Sequence, residues 1–426
     1  MVIGTVAGPA VGILASTLIE RFDLSRADIG RLSALYALVG AAVSPITGRL
    51  ADRIGGRRMV VATFLGGAAT FALYAGAGSY AMLLLAAAVS GIPNGTGNQA
   101  TNRLIATRVP PAERGVVTGI KQSGVQLGRF LAGLLLPGAV VAWGVGQTYS
   151  AMVILALAGA AATVVLLPND APNDAPNDAA DVPASNAATE NAAVNPATTH
   201  TTDPAMPTAG HPAAATVPGT GRGAGLPAAV WWLTGYACLM GAAAGATGAF
   251  TALFAEQDLG LSRSGAGLLV GLSGAAAVVS RIGLSRMVQG TSHYGPPLAW
   301  LALGATASVA LTAASTYLGV WALWLATMGV AITVGSWNSV AMLGAMASVP
   351  LAQAGRSSGR VMVGFLGGLG VAPPLFGAAV DRSDSFAWCW AALAGTCALA
   401  LVAMVLWSRT DPAASVSADP VPSMTR

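Results

Sequence analysis

Long apolar runs, separated by short charged or glycine-containing turns, dominate the pattern of this chain. A helix needs about 20 apolar residues to cross the hydrocarbon core of a bilayer, and twelve runs of about that length follow one another. Their approximate bounds are 2–19, 29–50, 58–76, 81–107, 115–141, 148–167, 228–255, 263–285, 295–314, 318–347, 357–380 and 385–407. The pattern predicts an all-α membrane protein with twelve transmembrane helices.

The composition agrees with a chain that is solvated mainly by lipid. Hydrophobic residues make up 54% of the sequence and charged residues only 9%, a balance that a soluble domain does not need. The three cysteines all lie within apolar runs, which favours buried small side chains over a disulfide or a metal site. Neither a nucleophile with its base nor a phosphate-binding loop is found, so the sequence predicts no enzyme and no cofactor.

The arginines predict the orientation of the helices, because short cytoplasmic loops retain positive charge. They flank the second and fourth turns at Arg49, Arg53, Arg57, Arg58, Arg108 and Arg114. Both termini are therefore predicted to be cytoplasmic, in a multi-pass protein of the plasma (inner) membrane. The net charge of +4 follows from this bias and gives no reason to expect nucleic acid as a partner.

Two halves of the chain repeat one another. The tripeptide Leu24-Ser25-Arg26 returns as Leu261-Ser262-Arg263. Seven further residues recur 240 positions later, namely Gly95, Asn98, Pro110, Gly115, Gly119, Gly124 and Gly128. Two pseudo-symmetric six-helix bundles, 1–167 and 227–409, are predicted, an arrangement typical of alternating-access carriers. The same alignment leaves the first helix about ten residues shorter than the seventh, through shortening or a late start.

The segment 168–226 is predicted to be a disordered cytoplasmic linker between the bundles. It opens with three copies of Pro-Asn-Asp-Ala and continues in small polar residues, which offer too little apolar surface to offset the entropy of ordering. A cytoplasmic tail is predicted over 410–426. Neither segment contains a folded signalling domain, which argues against the alternative of a non-transporting membrane sensor.

The turn from Gly48 to Arg58 resembles the loop between helices 2 and 3 of the major facilitator superfamily. The matching residues are Gly48, Leu50, Asp52, Arg53, Gly55, Arg57 and Arg58. The resemblance implies a conformational latch, in which Asp52 meets the positive N-terminal end of helix 11 near Ser357. In the second half Gln289 occupies the aspartate position. The alternative is that the arginines only anchor the topology.

The fifth helix carries a charge deep in the membrane. Arg129 lies 14 residues beyond Gly115, about 20 Å along a helix, and shares one face with Gln122 and Gln126. A charge at that depth costs about 2.5–3.5 kcal/mol even on the lenient insertion scale and usually faces the interior. No Asp or Glu lies inside a predicted span, so an anionic substrate is predicted to complete the pair.

Other polar residues are further candidates for the substrate site. They are Lys121, Asn94 and Asn98, together with Trp337 and Asn338 of the tenth helix. Lys121 could instead reach the cytoplasmic interface, and the amides could simply hydrogen-bond neighbouring helices. The arginines Arg103, Arg281 and Arg360 are interpreted as interface anchors.

The segment Gly119–Gly128 resembles the branch of cyanate, nitrate and small organic-anion permeases. We therefore predict a monomeric secondary active transporter of a small, anionic solute that works by alternating access. Exchange of anions, or entry with a proton, is favoured over a carboxylate relay. A drug or metabolite exporter of the same superfamily is the alternative, and a membrane-embedded acid would favour it.

Overall fold

The computed structural model describes residues 1–110, 113–168, 227–288, 293–349 and 354–410, which are almost entirely helical. The helices are α1 (Val2–Thr5), α2 (Ala7–Ile13), α3 (Ala15–Phe22), α4 (Arg26–Ile54), α5 (Gly56–Ala75), α6 (Tyr80–Arg108), α7 (Arg114–Leu166), α8 (Ala228–Gln257), α9 (Arg263–Val288), α10 (Gly295–Leu318), α11 (Val320–Thr333), α12 (Trp337–Ala347), α13 (Ala354–Ser383) and α14 (Phe386–Thr410). Gln289, nearly all of the predicted linker and the tail beyond Thr410 lie outside the described residues.

These helices form twelve transmembrane segments, as predicted. The short helices α1 to α3 follow one another as a single segment. Helix α7 contains two segments that meet at Gly144, whose φ of 81° is left-handed. Helices α11 and α12 are two parts of one segment, interrupted at 334–336, and every other helix is one segment. By length and hydropathy alone, nine helices of the described part qualify as membrane spans.

The repeated tripeptide begins a helix in both halves of the chain. In α4 the hydroxyl of Ser25 accepts the backbone N–H of Asp28 at 3.1 Å, and the Asp28 carboxylate accepts the N–H of Ser25 at 3.1 Å. This capping box satisfies amide groups that a helix start leaves unpaired. In α9 the hydroxyl of Ser262 accepts the N–H of Gly265 at 3.1 Å. The internal repeat therefore has a local structural cause at these two positions.

The two halves pack closely along one end of the molecule, which we call the outer end because the predicted orientation places it outside the cell. A Cβ atom added at Gly30 of α4 would lie 2.6 Å from the Cα of Pro374 in α13. A Cβ added at Gly133 of α7 would lie 2.7 Å from the Cα of Gly271 in α9. Only glycine permits such an approach of two backbones. We call these two contacts the outer seam.

The opposite, inner end is open between the same helices. Leu38, two turns beyond Gly30 on α4, still packs against Gly370 of α13. Gly48 lies five turns beyond Gly30 on the same face of α4, and among the described residues a Cβ added there would meet only Gln99 of its own half within 4 Å. Val363, two turns before Gly370 on the same face of α13, is exposed. The structure is thus closed at the outer end and open at the end that is predicted to face the cytoplasm.

Candidate functional site

Arg129 lies where the two halves meet. Its stem packs on α9 of the second half, since a Cβ added at Gly274 would be 3.4 Å from the Arg129 Cβ. Its guanidinium reaches α8, because a Cβ added at Gly248 would be 3.4 Å from the Nη2 atom of Arg129. Because Gly274 and Gly248 have no side chains, there is room for the side chain of Arg129 between α8 and α9. Arg129 is half-buried between them.

The charge of Arg129 has no counter-ion in the part of the chain that the structure describes. No hydrogen bond or ion pair joins its side chain to a described residue, and its electrostatic neighbours are the Tyr36 hydroxyl and the guanidinium of Arg281. Tyr36 donates its own hydroxyl to the carbonyl of Thr5 at 3.2 Å. The two like charges repel each other at the interface of the halves, and an anion bound between them would lower that repulsion.

Arg281 comes from α9 of the second half and is held by the interruption between α11 and α12. The backbone N–H of Gly335 bonds to the carbonyl of Val330, five residues back, at 3.1 Å. The carbonyl of Gly335 accepts the Nε–H of Arg281 at 2.7 Å. Beside it the hydroxyls of Ser280 and Ser336 are 2.6 Å apart. A broken helix that exposes backbone groups to a cavity is typical of transporter binding sites.

The sequence suggested that Arg281 is an interface anchor, and this stays a prediction because Arg281 is the last residue of the apolar span of α9, Arg263–Arg281. The structure adds that its Nε binds within the protein and that its charge interacts with that of Arg129. This contact was not predicted from the sequence, because it depends on the interruption between α11 and α12.

The structure separates the other candidates by their surroundings. Gln126 is buried on α7, whereas the side chain of Gln122 lies outside the described residues. The Oδ1 atom of Asn338 is buried and has no hydrogen-bond partner in the described part of the chain. Trp337 is buried in a cluster with Tyr236 and Phe365, whose ring centroids lie 5.7 and 5.4 Å away. Trp337 is thus enclosed by aromatic side chains in this conformation, and its contact with substrate stays a prediction.

The polar residues of α6 fall into two environments. Asn102 accepts a hydrogen bond from the Nζ of Lys121, which ties α6 to α7. Asn94 lies against α4, since a Cβ added at Gly40 would be 2.8 Å from its Nδ2 atom. Asn98 is exposed. Their roles in substrate binding stay predictions.

The predicted latch is only partly described. Helix α4 ends before Gly55, whose φ of 88° favours glycine, and α5 begins directly after it. Arg57 donates from Nη2 to the carbonyl of Val164 at 2.5 Å. The side chain of Asp52 lies outside the described residues. Ser357 of α13 donates to the carbonyl of Ala345 at 2.6 Å. The remaining latch residues are Gly48 on α4 and two exposed arginines, Arg53 and Arg58.

Changing Asp52 to Asn is expected to shift the carrier towards the inward-open state without destroying substrate binding. The amide keeps the shape but removes the charge that would dock on the N-terminal end of α13. Accessibility of a cysteine introduced at the exposed Val363 of α13 would report the shift as faster labelling from the inner side. Unchanged labelling together with unchanged flux would leave the turn as a topological anchor.

Two bundles with a charged centre between them define a membrane transporter. The model of the Major Facilitator Superfamily matches residues 1–349, and the chain belongs to that family. The resemblance found in the turn from Gly48 to Arg58 is thereby confirmed.

Similar curated proteins include transporters named for anions. The chain is 30% identical over 171 residues to the probable nitrate/nitrite transporter NarK2 of Mycobacterium tuberculosis (strain CDC 1551 / Oshkosh), a match covering 38% of this chain and 41% of that protein. It is 32% identical over 153 residues to the probable anion transporter 4, chloroplastic, of Arabidopsis thaliana, covering 35% and 28%. Each match thus spans less than half of the relative.

Solved structures with the same fold cover nearly the whole chain. The nucleoside transporter NupG, solved as a mutant, has a TM-score of 0.73 at 12% identity, with 95% of this chain and 96% of that chain covered. A bacterial homologue of the human lysosomal transporter Spinster, in an inward-facing and occupied conformation, has a TM-score of 0.69 at 14% identity, with 99% and 96% covered. At such identities the likeness concerns the fold alone.

Proposed function

We propose that this protein carries a small anion across the membrane by alternating access, with Arg129 and Arg281 as the cationic centre of the site. The observation that carries the proposal is the guanidinium of Arg129, which sits at the interface of the halves with no counter-ion among the described residues. A desolvated charge is costly unless it is paired. A bound anion would lower that cost and the repulsion between the two arginines.

The chemistry of the two arginines favours a small oxyanion. Arg281 uses its Nε–H on the carbonyl of Gly335, which leaves the terminal N–H groups available. Such a planar fork matches the oxygens of a carboxylate or a nitrate-like anion. The names of the partial relatives, a nitrate/nitrite transporter and an anion transporter, support the same class.

Alternating access is supported by the asymmetry of the two ends. The outer seam brings α4 against α13 and α7 against α9, whereas towards the inner end Gly48 has no described residue of α13 within 4 Å of an added Cβ and Val363 is exposed. The reverse arrangement, with the predicted latch at Asp52 closed and the seam open, would admit substrate from outside. Rocking of one bundle against the other around a fixed site is how such repeats work.

The proposal is tested with the purified full-length protein. Thermal stabilisation reports binding, and uptake into liposomes reports flux, for nitrate, nitrite, small mono- and dicarboxylates and an uncharged nucleoside as the control. One or more anions are expected to stabilise the protein and to enter the liposomes. Transport of uncharged or cationic compounds that no anion inhibits would instead support the drug or metabolite exporter.

A further inference from the structure

Charged residues bridge the two halves at the outer end, just beyond the outer seam. Arg26, at the start of α4, lies 3.8 Å from both Asp381 and Asp384. Arg263, at the start of α9, pairs with Glu20 and lies 3.9 Å from Glu256. We call these six residues the outer clasp. Each arginine is shared by two carboxylates, so the closed outer end gathers more negative than positive charge within the clasp.

The negative charge of three of the four carboxylates is stabilised by backbone N–H groups, by water or by a close arginine. Asp381 accepts the backbone N–H groups of Arg26 at 3.1 Å and Ala27 at 2.9 Å, at the positive N-terminal end of α4. Asp384 is solvated, with 91% of its side chain exposed. Glu20 is 62% exposed and has the closer contact with the shared arginine.

Glu256 is the exception. Only 9% of its side chain is exposed, and the Nε of Arg263 lies 3.9 Å away, beyond hydrogen-bond distance. Its one described hydrogen bond comes from the hydroxyl of Ser16, at 2.5 Å, across the boundary between the halves. The charged groups that face it are Glu20 from α3 and Arg263 from α9. Burial without full compensation disfavours the charged form of a carboxylate.

The neighbourhood of Glu256 is acidic on its other side as well. Asp258 follows α8 directly, and burial together with the nearby Asp384 raises the pKa of Asp258, although Arg26 opposes the shift. Arg26, which favours the charged form of Asp258, is already shared with Asp381 and Asp384. No second cation of the clasp remains for Glu256.

We infer that Glu256 is a proton-binding site that takes up a proton when the outer end closes. Ser16 and Glu256 belong to different halves, so opening the outer end separates them and returns the carboxylate to water, where it loses the proton. Closing the end buries the carboxylate again and favours the neutral acid. Because the closed state binds more protons than the open state, acid must favour the closed state.

The consequence for transport rests on the proposed function. An anion that enters while the outer end is open would be followed by a proton on Glu256 as that end closes. When the same end reopens, the proton returns to the outer side, so it is not itself carried across. Acid on the outer side would therefore hold more of the protein with its outer end closed and would slow the return of the empty carrier to the outward-open state.

The test measures closure of the outer end in the absence of any substrate. Spin labels are placed at Gly78→Cys and Tyr317→Cys, which are exposed outer positions in different halves, in full-length protein in nanodiscs with Cys238→Ala. Distances are recorded by pulsed electron resonance between about pH 5 and about pH 8. In the parent the short-distance population is expected to grow as the pH falls. Glu256→Gln should stay at short distances throughout.

The matched control is Asp384→Asn, which changes an exposed carboxylate of the same clasp. Asp384 has a φ of 48°, a conformation that asparagine tolerates, and the variant should keep the pH dependence. A pH-independent distance in the parent, or unchanged pH dependence in Glu256→Gln, would overturn the inference. If that variant does not insert into the membrane, infrared difference spectroscopy of the parent protein provides the test. The inference requires that the carbonyl band of a protonated carboxylic acid is present at low pH and is lost as the pH rises.

The two proposals fail separately. Nitrate binding, followed by thermal stabilisation at one fixed pH, tests the anion site alone. Intact nitrate binding with pH-independent closure would overturn only the role of Glu256. Closure that depends on pH in a protein that no anion stabilises would overturn only the proposed function.

Discussion

Replacing Arg129 with Gln is expected to abolish anion transport while leaving insertion and folding near normal. The substrate would lose charge-assisted hydrogen bonds, each of which contributes about 1.5–3 kcal/mol, or about a 10- to 100-fold change in affinity. Folding should not suffer, because the variant removes a deep charge that is itself costly. Uptake into liposomes and thermal stabilisation by nitrate measure the two effects.

Arg360→Gln is the matched control for this experiment. Arg360 is exposed, and its guanidinium lies 4.3 Å from the ring centroid of Trp231, so its replacement should leave transport near the parent level. Arg129→Lys should restore only part of the affinity, since an ammonium keeps the charge but lacks the planar fork. Full transport by Arg129→Gln would contradict the assignment of the anion site.

Replacing Gly30 with Val is expected to stop transport by a different route, namely by preventing closure of the outer end. The added Cβ would lie 2.6 Å from the Cα of Pro374, and backbone atoms cannot rotate aside as a side chain can. The protein should therefore stay open at the outer end and still bind nitrate added from that side. The spin-label pair at Gly78 and Tyr317 should report mainly long distances.

Gly395→Val in α14 is the control for added bulk, because a Cβ at Gly395 meets no atom within 4 Å. It should transport at nearly the parent rate. Normal uptake by Gly30→Val, with the short distance retained, would show that the outer seam tolerates a side chain and that the close packing is not required.

The architecture was predictable because hydropathy is a local property. Twelve apolar runs and a repeated Leu-Ser-Arg tripeptide lie in the sequence itself, and Ser25 and Ser262 begin helices where the repeat placed them. The turn from Gly48 to Arg58 indicated the family. The interruption at 334–336 was not predicted, although it contains Gly335 and Ser336, a pair of residue types that often kinks helices.

The candidate site was predictable only in part because contacts between halves are tertiary. Depth along a helix drew attention to Arg129, whose role in substrate binding stays a prediction. The hydrogen bond of Arg281 to Gly335 could not be predicted, because it depends on a break in another helix. Glu256 directly follows the seventh apolar run, which ends at 255. Its burial depends on Ser16, 240 residues away in sequence, and no local pattern encodes that approach.

The glycines of the outer seam also affect the equilibrium between the states with the outer end closed and open. Glycine has no side-chain rotamers to lose on burial, and it adds no apolar side chain to the contact. The seam is therefore held by van der Waals packing of the two backbones, and the ionisable groups around it make the equilibrium depend on pH. Evolution could retune the resting conformation of this protein by exchanging single residues at that edge, without touching either bundle.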